Sequence, residues 1–223
     1  MDAYLIPGMG ADHRLFARLK LDDVSVHHLD HPALPRGSTL KDYAAAQALR
    51  IDTTRPHVLV GVSMGGMVAQ ELAAITGPAL VILISSWKGP DEMPWSIRLL
   101  RGTHPERVLS RAVIDRSLPV VRWEMGVTRP EDATLFDALA KSCPVEDLKT
   151  QINACLTWSG PERRVDQLVH IHGDKDRLMP IGSIKDPVVI SGGTHFMVFN
   201  KAGEVARAVN DALLRVRPVS SST

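Results

Sequence analysis

Gly61-Val62-Ser63-Met64-Gly65-Gly66 is the stretch that decides the fold, because it joins an apolar run to a helical pattern through a tight turn. The apolar run is His57–Val60, and the helical pattern begins at Met67. A serine between two glycines in a strand–turn–helix unit is typical of the G-x-S-x-G nucleophile elbow. Glycine is needed on both sides of the serine because a side chain there would collide with the adjoining strand or helix. The pattern therefore predicts a serine hydroxyl held at the edge of a sheet, beside a helix N-terminus.

The composition is that of an ordinary globular protein, with 223 residues, 44% hydrophobic and 23% charged, and a formal net charge of +1. Such a charge, without clusters of Lys or Arg, gives no basis for binding nucleic acid or an anionic membrane surface. The longest apolar run, Ala79–Ile84, is too short to cross a membrane, and no signal-peptide pattern is seen. Two cysteines do not make a disulfide framework. We expect a cytoplasmic protein that acts on a small molecule, and the oligomeric state is left open.

Short apolar runs alternate with helical patterns, which predicts a parallel sheet covered on both faces. A capping-box variant at Thr39–Asp42 opens one helix, and Gly77-Pro78 ends the helix after the elbow. The gap between Asp176 and Pro187 is too short for a full crossover helix, so that helix has shrunk to a turn or its boundary is misplaced. Further strands are expected at 3–6, 24–29, 79–84, 168–172 and 187–190, a short helix at 12–19, a last helix at 202–216, and a frayed polar tail at 220–223.

The strand pattern stops between Trp87 and about Ser159, where prolines recur. Thr103–Glu106 and Thr128–Glu131 each resemble a helix start, with threonine and glutamate three residues apart and a proline between them. A mobile linker is disfavoured by the high apolar content of this stretch. We interpret 87–159 as a helical lid inserted after the fourth strand, with 1–86 and 160–219 forming the core.

A serine hydroxyl needs a general base, and the base needs a carboxylate that orients it. In the chain order serine, acid, histidine, the acid and the base follow later strands. Asp176 lies in the turn after strand 168–172, and His195 follows strand 187–190 through two glycines. Asp174 is the rival acid, but its place nearer the strand end favours a role in holding the turn. Ser63, His195 and Asp176 are therefore the predicted catalytic residues.

Acyl transfer also needs N–H donors for the negative charge that develops on the carbonyl oxygen. Met64, directly after the serine, would supply one backbone N–H, and Met9 in the loop Pro7–Gly10 would supply the other. No metal or cofactor motif such as H-E-x-x-H, C-x-x-C or a phosphate-binding loop is found, so neither is expected. The lid tryptophans either line an apolar pocket or simply pack the helices. The candidate substrate-binding residues are Gly8, His13, Trp87 and Trp95.

Four stretches together resemble the α/β-hydrolase superfamily over nearly the whole chain, and small bacterial esterase-like members most: Pro7–Gly10, Gly61–Gly66, Gly173–Pro180 and Gly192–Phe196. The resemblance implies an α/β fold with an about six-stranded, mainly parallel sheet flanked by helices. It also implies that the chain starts at the third strand of that family, without the first hairpin. In that family the second aspartate of such a turn is the triad acid, which supports Asp176.

The predicted activity is hydrolysis of an ester or thioester of a small, apolar acyl group through an acyl-enzyme, without cofactor or metal. The same fold hosts other chemistry, so two alternatives stay open. One is a lyase or cofactor-free oxygenase that uses the same triad. The other is a ligand-binding receptor with weak hydrolase activity.

Overall fold

The computed structural model of the chain describes residues 1–216. The core boundary predicted at 219 and the expected fraying of 220–223 lie outside the described residues. No helix within residues 1–216 is both long and apolar enough to cross a membrane.

Six strands form one sheet in the order β2-β1-β3-β4-β5-β6, and every pairing among them is parallel. This confirms the predicted α/β fold with a six-stranded sheet. The strands are β1 (Asp2–Ile6), β2 (Ser25–His28), β3 (His57–Val62), β4 (Leu80–Ile84), β5 (Leu168–Gly173) and β6 (Val188–Ile190).

The central strands β1, β3 and β4 are buried along their whole length. Their side chains point alternately to the two faces of the sheet, so each face builds its own core. Leu5 and Val60 pack on one face with Val205 and Val209. Leu59 packs on the opposite face with Met67. Helices on both faces explain why these strands, apart from Asp2 and His57 at their starts, are apolar rather than alternating.

Eight α-helices surround the sheet within residues 1–216. The predicted capping box of the first is present, because Thr39 and Asp42 each bond the other's backbone N–H. Gly77 ends the second with a left-handed φ of 60°. The helices are α1 (Leu40–Ala48), α2 (Met64–Thr76), α3 (Trp95–Leu100), α4 (Arg111–Met125), α5 (Pro130–Ser142), α6 (Val145–Thr157), α7 (Met197–Asn200) and α8 (Ala202–Leu214).

Residues 87–159, here called the helical segment, contain α3 to α6 and no strand. The two helix starts predicted within it differ in detail. The first opens only a four-residue 3-10 helix, Pro105–Val108, because the Thr103 hydroxyl donates to the carbonyl of Leu100 instead of capping. The second begins at Pro130, whose fixed φ suits the first helical position, so Arg129 rather than Thr128 is the N-cap.

The connection from β5 to β6 contains one 3-10 turn, Ile181–Ser183, in place of a crossover helix. Of the two explanations for the short gap, the first is therefore correct: the crossover helix is reduced to a turn. The outer strand β6 is only three residues long, and Val188 and Val189 remain exposed.

The carboxyl ends of the strands lie in register at one edge of the sheet. Ile6 pairs with Gly61, Val62 with Ile84, and Gly173 with Ile190. The loops that follow β1, β3, β5 and β6 therefore meet at this edge, where open parallel sheets bind ligands.

Candidate active site

Ser63 stands on a strained turn between β3 and α2. Its φ of 54° and ψ of −121° cost a non-glycine residue roughly 1–3 kcal/mol, which the surrounding packing must offset. A Cβ on Gly61 would lie 2.3 Å from the carbonyl oxygen of Gly65, and a Cβ on Gly65 would lie 2.2 Å from that of Ile6. Only glycine therefore fits on either side of this serine.

The backbone of Ser63 is fixed from two directions. The hydroxyl of Ser86 donates to the Ser63 carbonyl at 2.7 Å, and the N–H of Gly66 donates to the same oxygen at 2.9 Å. A side chain on Gly66 would meet the Ser86 hydroxyl at 2.5 Å, so the glycine lets this bond form. Ser63 is the N-cap residue of α2, but its side chain makes no capping hydrogen bond.

His195 and Asp176 form a buried pair. The Nδ1 atom of His195 lies 2.8 Å from Oδ2 of Asp176, and the exposed fractions of the two side chains are 6% and 0%. The other carboxylate oxygen accepts the N–H of Met179 at 2.8 Å. Because a carboxylate only accepts hydrogen bonds, Nδ1 carries a proton, so in the neutral ring the lone pair is on Nε2. That is the tautomer a general base requires.

Burial alone would raise the pKa of Asp176. The neighbouring His195, through charge and hydrogen bond, together with the N–H of Met179, outweighs this and leaves the pKa below its usual value. The carboxylate is therefore ionised at neutral pH.

This depressed pKa predicts a pH-dependent contribution to stability. The contribution of the Asp176 carboxylate is complete above its unfolded-state pKa of about 4, and it is lost as the pH falls through the lower folded-state value. We expect the difference in free energy of unfolding between the wild type and Asp176→Asn to be largest near pH 7 and to shrink below about pH 4. Urea unfolding followed across this range measures it, and a difference that stays constant would contradict the pKa direction.

His172 lies beside Asp176, with its side chain fully buried. Its Nε2 atom lies 2.7 Å from the carbonyl oxygen of Met179 and 3.7 Å from Oδ2 of Asp176. A carbonyl only accepts, so Nε2 carries a proton, and burial lowers the pKa of the ring, which keeps it neutral. His172 therefore holds the turn of Asp176 in place without adding a charge.

Asp174, the rival acid, serves another purpose. Its Oδ1 accepts the N–H of Gly192 at 2.6 Å. It thereby ties the loop after β5 to the loop after β6, which carries His195. The carboxylate that contacts His195 is that of Asp176.

The loop after β1 lies directly beside the serine. A Cβ on Gly8 would stand 3.4 Å from the Cβ of Ser63. The N–H of Gly10 donates to Oε1 of Gln151 in α6 at 2.8 Å, which anchors the loop. Within residues 1–216 the amides of Met9 and Met64 donate no hydrogen bond, so both remain available to a ligand.

A cavity of about 300 Å³ opens at this edge. Ser63, His195, Gly8 and Met9 line it from the sheet side. The helical segment closes the other side with apolar side chains from three helices: Ile114, Leu118, Val121, Phe136, Leu139 and Ile152.

Three of the predicted substrate-binding residues lie outside the lining of this cavity. His13 is exposed and bonds Asp30 at 2.7 Å. Trp87 is buried in the core on the α2 face, and Trp95 is 70% exposed. Gly8 alone of the four lines the cavity. Aromatic character did not reveal which way each tryptophan would face.

The lining residues of α4 were missed although their spacing carried a signal. Ile114, Leu118, Val121 and Met125 lie four, three and four residues apart, which is one face of a helix. The pattern indicates a buried face, but not whether it packs on protein or borders a cavity.

The C-terminus of α4 is joined to the loops that carry Asp176 and His195. The N–H of Phe196 donates to the carbonyl of Met125 at 3.1 Å. The Arg177 guanidinium donates to the carbonyl of Trp123 at 2.6 Å and stacks on its ring at 4.3 Å. Gly126, with a φ of 72°, has no room for a Cβ, which would lie 2.3 Å from the Cβ of Thr194. The helical segment is therefore fixed to the loops that carry Asp176 and His195.

Solved structures share this fold over nearly the whole chain at low identity. An esterase from Thermogutta terrifontis is 18% identical with a TM-score of 0.70, covering 98% of this chain and 91% of its own. The RedJ thioesterase of the prodiginine pathway in Streptomyces coelicolor is 18% identical with a TM-score of 0.66, covering 95% and 90%. YbtT, a type II thioesterase of the yersiniabactin pathway, is 16% identical with a TM-score of 0.65, covering 96% and 93%.

A comparison of the sequence with curated proteins finds no match. The family model described as "Alpha/beta hydrolase family" matches residues 3–208, which include Ser63, Asp176 and His195. This match confirms the resemblance that the four sequence stretches indicated. The chain belongs to the alpha/beta hydrolase family.

Proposed function

We propose that this protein is a serine hydrolase that cleaves an ester or thioester of a small, apolar acyl group. The observation that carries the proposal is the buried hydrogen bond between His195 and Asp176, with both His195 and the strained Ser63 lining one apolar cavity. The esterase and thioesterases with the same fold support the choice of ester and thioester substrates.

In the proposed mechanism the Ser63 hydroxyl attacks the acyl carbonyl while its proton passes to Nε2 of His195. The amides of Met9 and Met64 hold the oxyanion of the tetrahedral intermediate, at the N-terminus of α2. Collapse of this intermediate breaks the bond to the alcohol or thiol, which takes the proton from His195. Water then attacks the acyl-enzyme by the same route and releases the acid. Asp176 keeps the ring oriented and stabilises its charged form.

We propose that the helical segment 87–159 acts as a lid on a core formed by 1–86 and 160–219. Its helices supply most of the apolar lining of the cavity, which supports this division.

Labelling by a fluorophosphonate tests the nucleophile. We expect one covalent adduct per native chain, located at Ser63 by peptide mass analysis, and no adduct on Ser63→Ala. Ser117→Ala is a matched control because Ser117 lines the same cavity but its hydroxyl donates to the carbonyl of Ile114 at 2.9 Å. Ser117→Ala should label like the wild type.

An unlabelled native chain, or equal labelling of Ser63→Ala, would overturn the proposal. A chain that labels but turns over no ester or thioester would favour the two alternatives, a lyase or oxygenase and a receptor. Tight binding of a ligand without turnover would then single out the receptor.

A further inference from the structure

The cavity above Ser63 carries almost no polar groups. Of the described residues, no Lys, Arg, Asp or Glu lines it. Among the lining residues within 1–216, the side-chain O–H and S–H groups are those of Ser63, Ser117 and Cys143, and His195 adds its ring nitrogens. The Ser117 hydroxyl donates to the carbonyl of Ile114, and the Cys143 thiol lies 3.6 Å from the carbonyl oxygen of Pro144. Burial raises the pKa of Cys143 to about 11, so its thiol is neutral.

The size of the cavity limits what it can hold. Its volume is about 300 Å³. A methylene group occupies about as much space as one water molecule, roughly 30 Å³, so a chain of about ten carbons would fill the cavity. An acetyl group would leave most of this apolar wall without contact to the ligand, and a chain much longer than about ten carbons would extend beyond the cavity.

Hydrogen bonds fix the spacing between α4 and α5, the two helices that form one wall of the cavity. The Arg111 guanidinium, at the start of α4, donates to the carbonyls of Ala140 at 2.9 Å and Cys143 at 2.8 Å, near the end of α5. Ala140 is the smallest side chain that α5 contributes to the lining, and Ser117 is the smallest from α4. These two positions leave open the space that larger side chains would close.

We propose that this cavity selects an uncharged, apolar acyl chain of about six to ten carbons, and that Ala140 and Ser117 set the length. The inference rests on the proposed function and names its substrate class. A chain that ends in a carboxylate is excluded because the cavity offers that charge no partner, and an unpaired buried charge is costly.

A series of p-nitrophenyl esters from two to sixteen carbons tests this assignment. For the wild type we expect kcat/KM to rise about three- to fourfold per methylene up to six to ten carbons and to fall beyond. Ala140→Phe should move the maximum at least two carbons shorter, so that its kcat/KM falls by a larger factor for the decanoyl ester than for the acetyl ester. A chain of matched length ending in a carboxylate should react at least about 100-fold more slowly.

Ala112→Phe is the matched control, because Ala112 lies exposed on α4 outside the cavity lining. It should reproduce the wild-type profile. Circular dichroism shows whether the Ala140→Phe protein folds. If the Ala140→Phe protein does not fold, Ser117→Leu serves as the second cavity-filling variant.

The outcomes separate this inference from the proposed function. Hydrolysis that depends on Ser63 but shows no preference for chain length, or a maximum that neither filling variant moves, would overturn the cavity assignment alone. A Ser63 that takes no fluorophosphonate, with no ester or thioester turned over at any length, would overturn the proposed function as well.

Discussion

Asp176→Asn is expected to lower kcat/KM by about 10⁴-fold, measured with whichever ester in the chain-length series reacts best. The amide would present an N–H₂ group or a weaker acceptor to Nδ1 of His195, which is 2.8 Å away. The ring would then lose the tautomer and the charge stabilisation that a base needs. His195→Ala removes the base itself and should cost at least as much, roughly 10⁵- to 10⁶-fold.

Asp174→Asn provides the control for this loss. It lies two residues from Asp176, and an asparagine oxygen can still accept the N–H of Gly192 that the carboxylate accepts now. Its kcat/KM should stay within about threefold of the wild type. If Asp174→Asn lost as much activity as Asp176→Asn, the acid would be wrongly assigned. If Asp176→Asn kept full activity, the triad would be refuted.

Gly65→Ala is expected to destabilise the fold by more than about 3 kcal/mol or to prevent it from forming. The added Cβ would lie 2.2 Å from the carbonyl oxygen of Ile6 and 2.4 Å from that of Pro7. Backbone cannot move aside as a flexible side chain can, so β1 and α2 would have to separate. Thermal unfolding by circular dichroism and the soluble yield measure the effect.

Gly203→Ala is the matched substitution. Gly203 is a helical residue of α8, and a Cβ there would meet no atom within 4 Å. Alanine favours helix, so the free energy of unfolding should be unchanged or raised by up to about 1 kcal/mol. A Gly65→Ala protein as stable as Gly203→Ala would show that the close approach of β1 to α2 is not required.

The fold was predictable because its signals are local and repeat along the chain. Apolar runs buried on both faces indicated the strands, and the glycines around Ser63 indicated the sharp turn after β3. The outer elements were harder to place. β6 was expected at 187–190 and lies at Val188–Ile190. Its residues Val188 and Val189 are exposed, so their apolar side chains do not contribute to the core.

The candidate site divides in the same way. The loops that carry Asp176 and His195 follow strands, and parallel strands bring such loops to one edge whatever the intervening sequence. No comparable rule predicts which residues form the cavity wall. Which face of α4 or α5 borders the cavity depends on how helices pack over the sheet, and a tryptophan such as Trp95 can as well face outward.

The hydrogen bonds between α4 and the loops of Asp176 and His195 limit how new specificities can arise in this chain. Phe196 bonds the carbonyl of Met125, and Arg177 bonds the carbonyl of Trp123. Both acceptors are backbone groups, so a segment exchanged for 87–159 would keep these bonds only if it brought a helix end to the same place. Changes of substrate are expected to accumulate as point substitutions on the inner faces of α4 and α5, where the triad geometry is left intact.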